Sequence, residues 1–259
     1  EQAVMRTSLV PGLLETMRRN LAFQIKDVRL FETGKTFLSN GQDQLPEETE
    51  TLAALWTGSG IPATWQSKAR PCDFYDLKGV VESLLDRLNT PAPAFTPLPA
   101  DSGAYLRAGC SARIQVDETE IGRIGEVDAG VLKTYDLKQT AYIMELNIHR
   151  LLPLIPEAPQ FTPIPRFPAA WRDVTLIVDN AVLAGDILAS IHERNEALLE
   201  DVRIFDVYSG PPIDEGQKSL SLRLTYRSAE ETLADETVNR VHDKITGHLM
   251  HTFNARLPT

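Results

Sequence analysis

The chain has 259 residues, 42% of them hydrophobic and 24% charged, and this composition is typical of a folded globular protein. No apolar run reaches the roughly 18 residues of a membrane-spanning helix, and the first residues lack the basic start and apolar stretch of a signal peptide. The net charge of −10 is the opposite of what a self-sufficient nucleic-acid binder carries. We therefore expect a cytoplasmic protein without membrane or DNA contacts, in which RNA contact needs a local patch or a partner's charge.

The two cysteines, Cys72 and Cys110, match no zinc spacing and cannot form a disulfide framework, so we expect reduced thiols. The chain does not begin with Met, and recognisable sequence is already under way at residue 4, which suggests that it is part of a longer polypeptide.

Proline clusters indicate where the chain divides, because each proline fixes its own backbone and biases its predecessor away from helix. Residues 89–100 contain four prolines and residues 153–168 contain six. The second cluster is the predicted linker. It separates a first domain over residues 1–155 from a second over residues 165–259, and both have ordinary domain lengths.

The first domain mixes helical and strand patterns. Its predicted elements are a helix over 13–20, strands over 28–37 and near 51–58, a helix over 75–88, two strands between 111 and 127, and a strand over 142–148. The strands alternate apolar and polar residues, whereas the helix over 75–88 carries an apolar stripe at helical spacing. We expect an antiparallel sheet with helices against it, which makes this an α+β domain.

The second domain has a more regular pattern. Its predicted elements are a strand over 174–178, a helix over 184–198, strands over 202–208 and 220–225, a helix that ends near Phe253, and a short strand over 255–257. Thr232 and Asp235 have capping-box spacing and predict the start of the last helix. The βαββαβ order is that of a ferredoxin-like domain.

That fold covers one sheet face with both helices and leaves the other face open, with Ser221, Arg223 and Thr225 on the third strand. Sheets of this kind bind RNA when aromatic residues on the open face stack on bases. Because the third strand offers small polar residues and one arginine, the usual stacking platform is expected to be missing.

No catalytic or metal-binding motif is found. His242, His248 and His251 fall on the last helix, but their spacing does not place all three on one face, so we expect a solvated histidine surface. Arg18 and Arg19 are interpreted as basic residues at a helix end, where the helix dipole favours them. This interpretation is preferred to a role in an interface with tRNA or the α chain. There is no phosphate-loop spacing and no nucleophile elbow.

Several runs carry a resemblance to a known family, in the family's order and over nearly the whole chain. They are MRTSLVPGLLETMRRN (5–20), RLFETGKTF (29–37), DFYDLKGVVESLL (73–85), IGRIGEVDAGVLKTYDLK (121–138), RFPAAWRDVTLIVD (166–179), IFDVYSG (204–210), parts of GQKSLSLRLTYR (216–227) and TLADETV (232–238). The chain resembles the C-terminal portion of the β chain of bacterial phenylalanine-tRNA ligase.

The resemblance implies a catalytic-like domain of class II synthetase descent, followed by a ferredoxin-fold anticodon-binding domain. It also implies an α chain that holds the active site, an assembly of two α and two β chains, and tRNA as a partner. The complete enzyme would use ATP and Mg²⁺ to join phenylalanine to its tRNA. This portion is expected to be non-catalytic and to bind neither ATP nor Mg²⁺ by itself.

The segment YIMELNIHRLL (142–152) resembles the class II element that grips ATP, and Arg150 falls where the nucleotide-binding arginine would be. Glu145 and Asn147 replace glycines of the catalytic chain. A carboxylate beside polyphosphate is repulsive, so we expect a degenerate pocket and a structural or interface role for Arg150.

The resemblance also suggests contact residues. The segment entering the second domain offers Arg166, Trp171 and Arg172 to tRNA, and Arg223 on the open face is the second choice. In the alternative, Phe167 and Trp171 pack under the linker and Arg172 pairs with Asp173 or another carboxylate. The candidates for contact with the α chain, from segments 5–14 and 31–37, are Leu9, Leu13, Phe31 and Phe37.

Charge limits the RNA hypothesis, because residues 165–259 carry 10 Lys and Arg against 15 Asp and Glu, a net charge of −5. Neither half is basic, so we expect weak RNA binding by the chain alone. Two other functions stay open: a stand-alone ferredoxin-like binding module, and a first domain that keeps its own adenylating site. Glu145 and Asn147 disfavour the second, and the N-terminal resemblance disfavours the first.

Overall fold

A computed structural model describes residues 4–41, 44–99, 105–158, 161 and 163–258. The chain forms two units, residues 1–160 and residues 161–259. Each unit has its own buried apolar clusters, two in the first and one in the second. Both units combine helices with antiparallel strands, so the α+β class predicted from the sequence is confirmed.

The first unit is built on a six-stranded antiparallel sheet. Its helices are α1 (Val10–Ala22), α2 (Phe74–Arg87), α3 (Ala129–Thr134) and α4 (Ile148–Leu151). Its strands are β1 (Val28–Leu38), β2 (Glu47–Thr57), β3 (Ser59–Ile61), β4 (Arg70–Pro71), β5 (Pro93–Pro97), β6 (Leu106–Val116), β7 (Thr119–Val127) and β8 (Ala141–Asn147). The sheet order is β1-β2-β8-β7-β6-β5, and β3 pairs separately with β4.

Helices cover both faces of this sheet. Leu13, Leu14 and Met17 of α1 pack on one face with alternate residues of β2 and β8, and Leu132 of α3 belongs to the same cluster. The intervening residues of β2 and β8 pack on the other face against α2, whose Leu77, Val81 and Leu85 are buried. The period-2 alternation of each strand therefore feeds two cores, one on each side of the sheet.

Local chemistry explains how α2 begins. Asp73 accepts a hydrogen bond from the backbone N–H of Asp76, and the side chain of Asp76 accepts one from the backbone N–H of Asp73. Arg70 bonds both carboxylates, at 2.8 and 2.6 Å. This reciprocal cap satisfies backbone donors that the first helical turn would otherwise leave unpaired.

The second unit has the ferredoxin-like order. Its elements are β9 (Ala170–Asp179), α5 (Ala184–Glu193), β10 (Leu199–Tyr208), β11 (Gln217–Tyr226) and α6 (Asp235–Thr252). The three strands are antiparallel in the order β10-β11-β9, and a single antiparallel bridge between Ile177 and Arg256 represents the predicted last strand. Ile187 and Ile191 of α5 and Val238, Ile245 and Leu249 of α6 pack on one face of this sheet.

Several element boundaries differ from the prediction, among them the end of α5 and the starts of α6 and β9. Helix α5 ends at Glu193 instead of residue 198, because Asn195 adopts a left-handed backbone with φ of 48°. Helix α6 begins at Asp235 after Ala234 without a side-chain cap, so the capping box predicted at Thr232 is wrong. Strand β9 begins at Ala170, four residues before the predicted start.

Candidate nucleic-acid interface

The sheet of the second unit has one face that neither helix covers. In the β11–β9 pairing, Arg223 lies opposite Asp173 and Thr225 lies opposite Trp171. Directly paired residues of an antiparallel sheet point to the same face, so Trp171 shares the open face with Arg223. Two of the tRNA-contact candidates suggested by the sequence, Trp171 and Arg223, thus belong to one surface.

An ion pair holds Arg223 in place on this surface. Its Nε lies 2.7 Å from Oδ1 of Asp173, and its Nη2 lies 2.6 Å from Oδ2. The hydrogen bonds from Arg223 lower the pKa of the Asp173 carboxyl below its ordinary value and raise the pKa of Arg223. The guanidinium also lies 5.4 Å from the ring centroid of Phe205 on β10. Both groups are partly exposed to solvent, which screens the attraction between their charges. The pair therefore orients Arg223 more than it stabilises the fold.

Aromatic side chains do stand on this face, which corrects the expectation of a missing platform. Trp171 is 60% exposed and Phe205 is 52% exposed. The register between β10 and β11 shifts between Ile204 and Asp206, so Phe205 lies at an irregularity of the edge strand. The prediction considered the third strand alone, whereas the aromatic residues lie on the first and second. Ser221 was also expected to be exposed, but it is buried and its hydroxyl bonds that of Thr175 at 2.9 Å.

Arg172 points to the opposite, helix-covered face. Its Nε bonds Oδ1 of Asn239 at 2.9 Å and its Nη2 bonds Oδ1 of Asp235 at 2.5 Å, both on α6. The sequence alternative of a carboxylate partner thus describes Arg172 correctly, with Asp235 in place of Asp173. Arg166 is exposed and forms no ion pair with the described part of the chain.

The histidines of α6 do not form the solvated surface that was expected. Nδ1 of His242 lies 3.0 Å from the hydroxyl of Tyr226, a fully buried residue, and His248 bonds Ser190 at 2.9 Å. Burial lowers the pKa of His242 and raises that of Tyr226. Only His251 is exposed. His242 thus bonds α6 to β11, and His248 bonds α6 to α5.

In the first unit, Glu145 and Arg150, which the sequence suggested as marks of a degenerate pocket, line a cleft of about 290 Å³ together with residues such as Thr51 and Arg123. Both oxygens of Glu145 accept hydrogen bonds from within the chain, from Ser8, Leu9 and Tyr105. Nη1 of Arg150 bonds the carbonyl of Glu120 at 3.2 Å. A carboxylate therefore lines the cleft, and Arg150 has a partner within the chain.

Asn147, the other residue at a position of a catalytic glycine, has a local role. Its side-chain oxygen accepts the backbone N–H of Arg150 at 3.0 Å and caps α4. Such a cap satisfies one of the free donors of a helix start. Asn147 thus shapes the turn from β8 into α4.

The residues expected to contact an α chain separate into two groups. Leu9 and Leu13 are only 1% and 3% exposed and lie in the core between α1 and the sheet. They do not present an apolar surface, which corrects that expectation. Phe31 on β1 is 77% exposed, and Phe37 is partly buried, with its backbone N–H bonded to the carbonyl of Arg6 at 2.9 Å.

The described residues contain no group of three His, Cys, Asp or Glu side chains that could hold a metal ion. No helix within the described ranges is long and apolar enough to cross a bilayer. Both cysteines are free, and burial raises the pKa of the Cys72 thiol to about 11, so this thiol is not a reactive nucleophile at neutral pH.

Each of the two units matches a known protein family model. Residues 165–258 match the model of the ferredoxin-fold anticodon binding domain, the class that the βαββα arrangement and its last bridge define. Residues 1–148 match the model of the phenylalanyl tRNA synthetase beta chain CLM domain. Because this second match covers more than half of the chain, the chain belongs to the phenylalanyl-tRNA synthetase β chain family.

Curated relatives extend the similarity over almost all residues. The chain is 36% identical over 99% of its length to the phenylalanine–tRNA ligase beta subunit of Geobacter sulfurreducens. It is 37% and 40% identical, over the same share, to those of Bacillus subtilis and Syntrophus aciditrophicus. In each case it spans 32% of the relative, so the chain corresponds to about a third of those proteins.

Proposed function

We propose that the chain works as the C-terminal, non-catalytic portion of a phenylalanine–tRNA ligase β subunit, in the cytoplasm. In this proposal it joins an α chain within an assembly of two α and two β chains and docks tRNA. The assembly attaches phenylalanine to tRNA with ATP and Mg²⁺, and the α chain supplies the active site. The proposed domains are those predicted from the sequence, 1–155 and 165–259. The first domain serves assembly with the α chain, and the second contacts tRNA.

The observation that carries the tRNA proposal is the open face of the second unit. It combines Trp171 and Phe205, both more than half exposed, with Arg223, which the Asp173 ion pair holds between the strands. Exposed rings on a sheet stack on unpaired bases, and guanidinium groups contact bases or phosphates. Arg166 is a further candidate for phosphate contact. Arg172 is withdrawn as a candidate because α6 occupies its guanidinium.

This proposal predicts that Trp171→Ala weakens tRNA binding. Stacking of one base on an aromatic side chain is worth roughly 1 to 3 kcal/mol, so the Michaelis constant for tRNA should rise about tenfold or more. Phenylalanine activation should not change, because it does not need the tRNA contact. The measurement is aminoacylation kinetics of the α/β assembly over a range of tRNA concentrations.

Trp65 provides the matched control, since it is 96% exposed but lies in the first unit. Trp65→Ala should leave the tRNA constant unchanged if the effect belongs to the open face. An unchanged constant in both Trp171→Ala and Phe205→Ala would contradict the assignment of tRNA to this surface.

A non-catalytic role of the first unit is supported by the Glu145 carboxylate in its cleft. Glu145 puts a carboxylate where a polyphosphate would need donors, and the nearby donors of Ser8, Leu9 and Tyr105 already bond this carboxylate. Repulsion between carboxylate and phosphate disfavours nucleotide binding there. The alternative of a retained adenylating site is therefore not favoured. A stand-alone binding module is not favoured either, because the first unit matches the synthetase β chain.

For assembly with the α chain, the exposed strand β1 supports a role for Phe31 in particular. A phenylalanine that is 77% exposed contributes nothing to the core and has the size of an interface anchor. Phe31→Asp should weaken the complex by about 2 kcal/mol, the scale of an interface hot spot. The measurement is the dissociation constant of the α/β complex by titration calorimetry.

Tyr75→Asp is a suitable control for this variant, because Tyr75 is similarly exposed, at 75%, on α2 of the same unit. Equal affinity of the Phe31→Asp variant and the parent chain would remove β1 from the interface. Leu9→Asp is unsuitable as a test, since it would bury a charge in the chain's own core.

A further inference from the structure

One carboxylate joins three segments of the first unit that are far apart in sequence. Glu145 lies on β8, and its Oε1 accepts a hydrogen bond from the Ser8 hydroxyl at 2.7 Å and from the backbone N–H of Leu9 at 3.2 Å. Its Oε2 accepts a hydrogen bond from the hydroxyl of Tyr105. Leu9 is the N-cap residue that directly precedes α1, and Tyr105 directly precedes β6.

The two hydroxyl groups around Glu145 are both held as hydrogen-bond donors. The Ser8 hydroxyl also accepts the backbone N–H of Val10 at 3.0 Å, which fixes the orientation of its own proton toward Glu145. Burial and the charge of Glu145 raise the pKa of Tyr105, so its hydroxyl stays protonated and remains a donor. Hydrogen bonds to an ionised acceptor are about twice as strong as neutral ones.

The cation on the neighbouring strand is not an ion-pair partner of this carboxylate. Arg123 lies directly opposite Glu145 in the β7–β8 pairing and lines the same cleft. It forms no ion pair with Glu145 or with any other residue in the described ranges. The carboxylate is thus held by two hydroxyls and one backbone amide, and an ion pair contributes nothing to its position.

We propose that Ser8, the Leu9 amide and Tyr105 form a carboxylate-binding site whose occupant is the chain's own Glu145. This internal ligand holds the start of α1 against the sheet without a bound small molecule. When the Glu145 side chain is removed, the same donors should bind a small free carboxylate such as formate or acetate. This site lies within the 259-residue chain and needs neither tRNA nor an α chain.

The test is hydrogen exchange of the 259-residue chain with Glu145 changed to Ala. Loss of a hydrogen bond to a charged group should increase exchange at the amides of Leu9, Leu13 and Leu14 roughly tenfold to a hundredfold. The amides of α2, which pack on the opposite face, should not change. Sodium formate should restore the protection, whereas sodium chloride at the same ionic strength should not.

Glu50→Ala is the matched control, because Glu50 is an exposed glutamate on the neighbouring strand β2. Its exchange pattern should equal that of the parent chain. Unchanged protection at Leu9–Leu14 in Glu145→Ala, or equal recovery with formate and with chloride, would overturn the proposal.

Milder variants keep the test decisive if Glu145→Ala does not fold. Glu145→Gln and Tyr105→Phe each remove part of the contact and should each increase exchange at Leu9. Combined, they should have a smaller effect than the product of the two separate increases, since both act on one contact. Simple multiplication of the two effects would show that Tyr105 and Glu145 act independently and would contradict a shared site.

Discussion

Two arginines of the second unit show how strand position decides what a charged side chain can do. Arg223 stands on the open face, where the Asp173 carboxylate presents it beside Phe205. Arg172 stands on the other face and bonds two residues of α6. The alternation of strand side chains separates them. The sequence did not separate them because the strand was predicted to begin at Val174, which left Trp171 and Arg172 in the segment that enters the second domain.

A pH effect on stability is expected at the residue scale from His242. Burial lowers its pKa below the ordinary value of 6.5, and the charges of Asp243, Arg172 and Asp173 partly offset one another. Between the folded and unfolded pKa values the unfolded chain binds more protons. The contribution is therefore fully present above pH 6.5 and is lost as the pH falls through that value toward the folded pKa.

The variant that tests this effect is His242→Asn, which keeps an acceptor for the Tyr226 hydroxyl but does not titrate. Its free energy of unfolding, measured with urea, should change less between about pH 7 and pH 5 than that of the parent chain. His251→Asn, on the exposed part of the same helix, should behave like the parent. A steep loss of stability in His242→Asn equal to that of the parent would contradict this assignment.

At the scale of elements, the sequence predicted types well and ends less well. Period-2 alternation identified β1, β7 and β11, and the apolar stripe identified α2, because burial on one face imposes these patterns locally. The end of α5 depends on one left-handed residue, Asn195, which apolar periodicity does not register. The strand order β1-β2-β8-β7-β6-β5 depends on pairings between distant segments, and no local pattern encodes it.

The pairing of β7 with β8 gives a prediction about Gly122. A Cβ added there would lie 2.1 Å from the backbone carbonyl oxygen of Glu145, an atom that cannot move without disturbing the sheet. Gly122→Ala should therefore lower the free energy of unfolding of the first unit by about 2 kcal/mol or more, as overpacking does in a dense core. Urea unfolding monitored by circular dichroism measures the change.

Gly79 serves as the contrasting position, since it lies in α2 and an added Cβ would meet nothing within 4 Å. Gly79→Ala should stabilise the unit by roughly 0.5 to 1 kcal/mol, because alanine loses less backbone entropy in a helix. Loss of stability at Gly79 or no loss at Gly122 would contradict the close approach between β7 and β8.

At the scale of the whole molecule, the contacts that decide the site lie between residues far apart in the chain. Ser8 and Glu145 are separated by 137 positions, and Trp171 and Phe205 come together only through the β9-β11-β10 order. The resemblance of short runs anticipated the family and the two-part organisation. It could not show that Leu9 and Leu13 are core residues, because an apolar helix stripe has the same pattern whether it faces its own sheet or a partner.

Charge leads to a prediction for the 259-residue chain, which carries −10, with −5 in residues 165–259. Phosphate neutralisation supplies most non-specific affinity for nucleic acids, and the Arg223 guanidinium on the open face is already paired with Asp173. Stacking on Trp171 and Phe205 alone gives only a few kcal/mol. The isolated chain should therefore bind tRNA at least about tenfold more weakly than the α/β assembly, and its affinity should fall only gently with added salt. Fluorescence anisotropy of labelled tRNA at several salt concentrations, with and without the α chain, measures both quantities. Equal affinity in the two cases would mean that this chain carries the main tRNA site without a partner's charge.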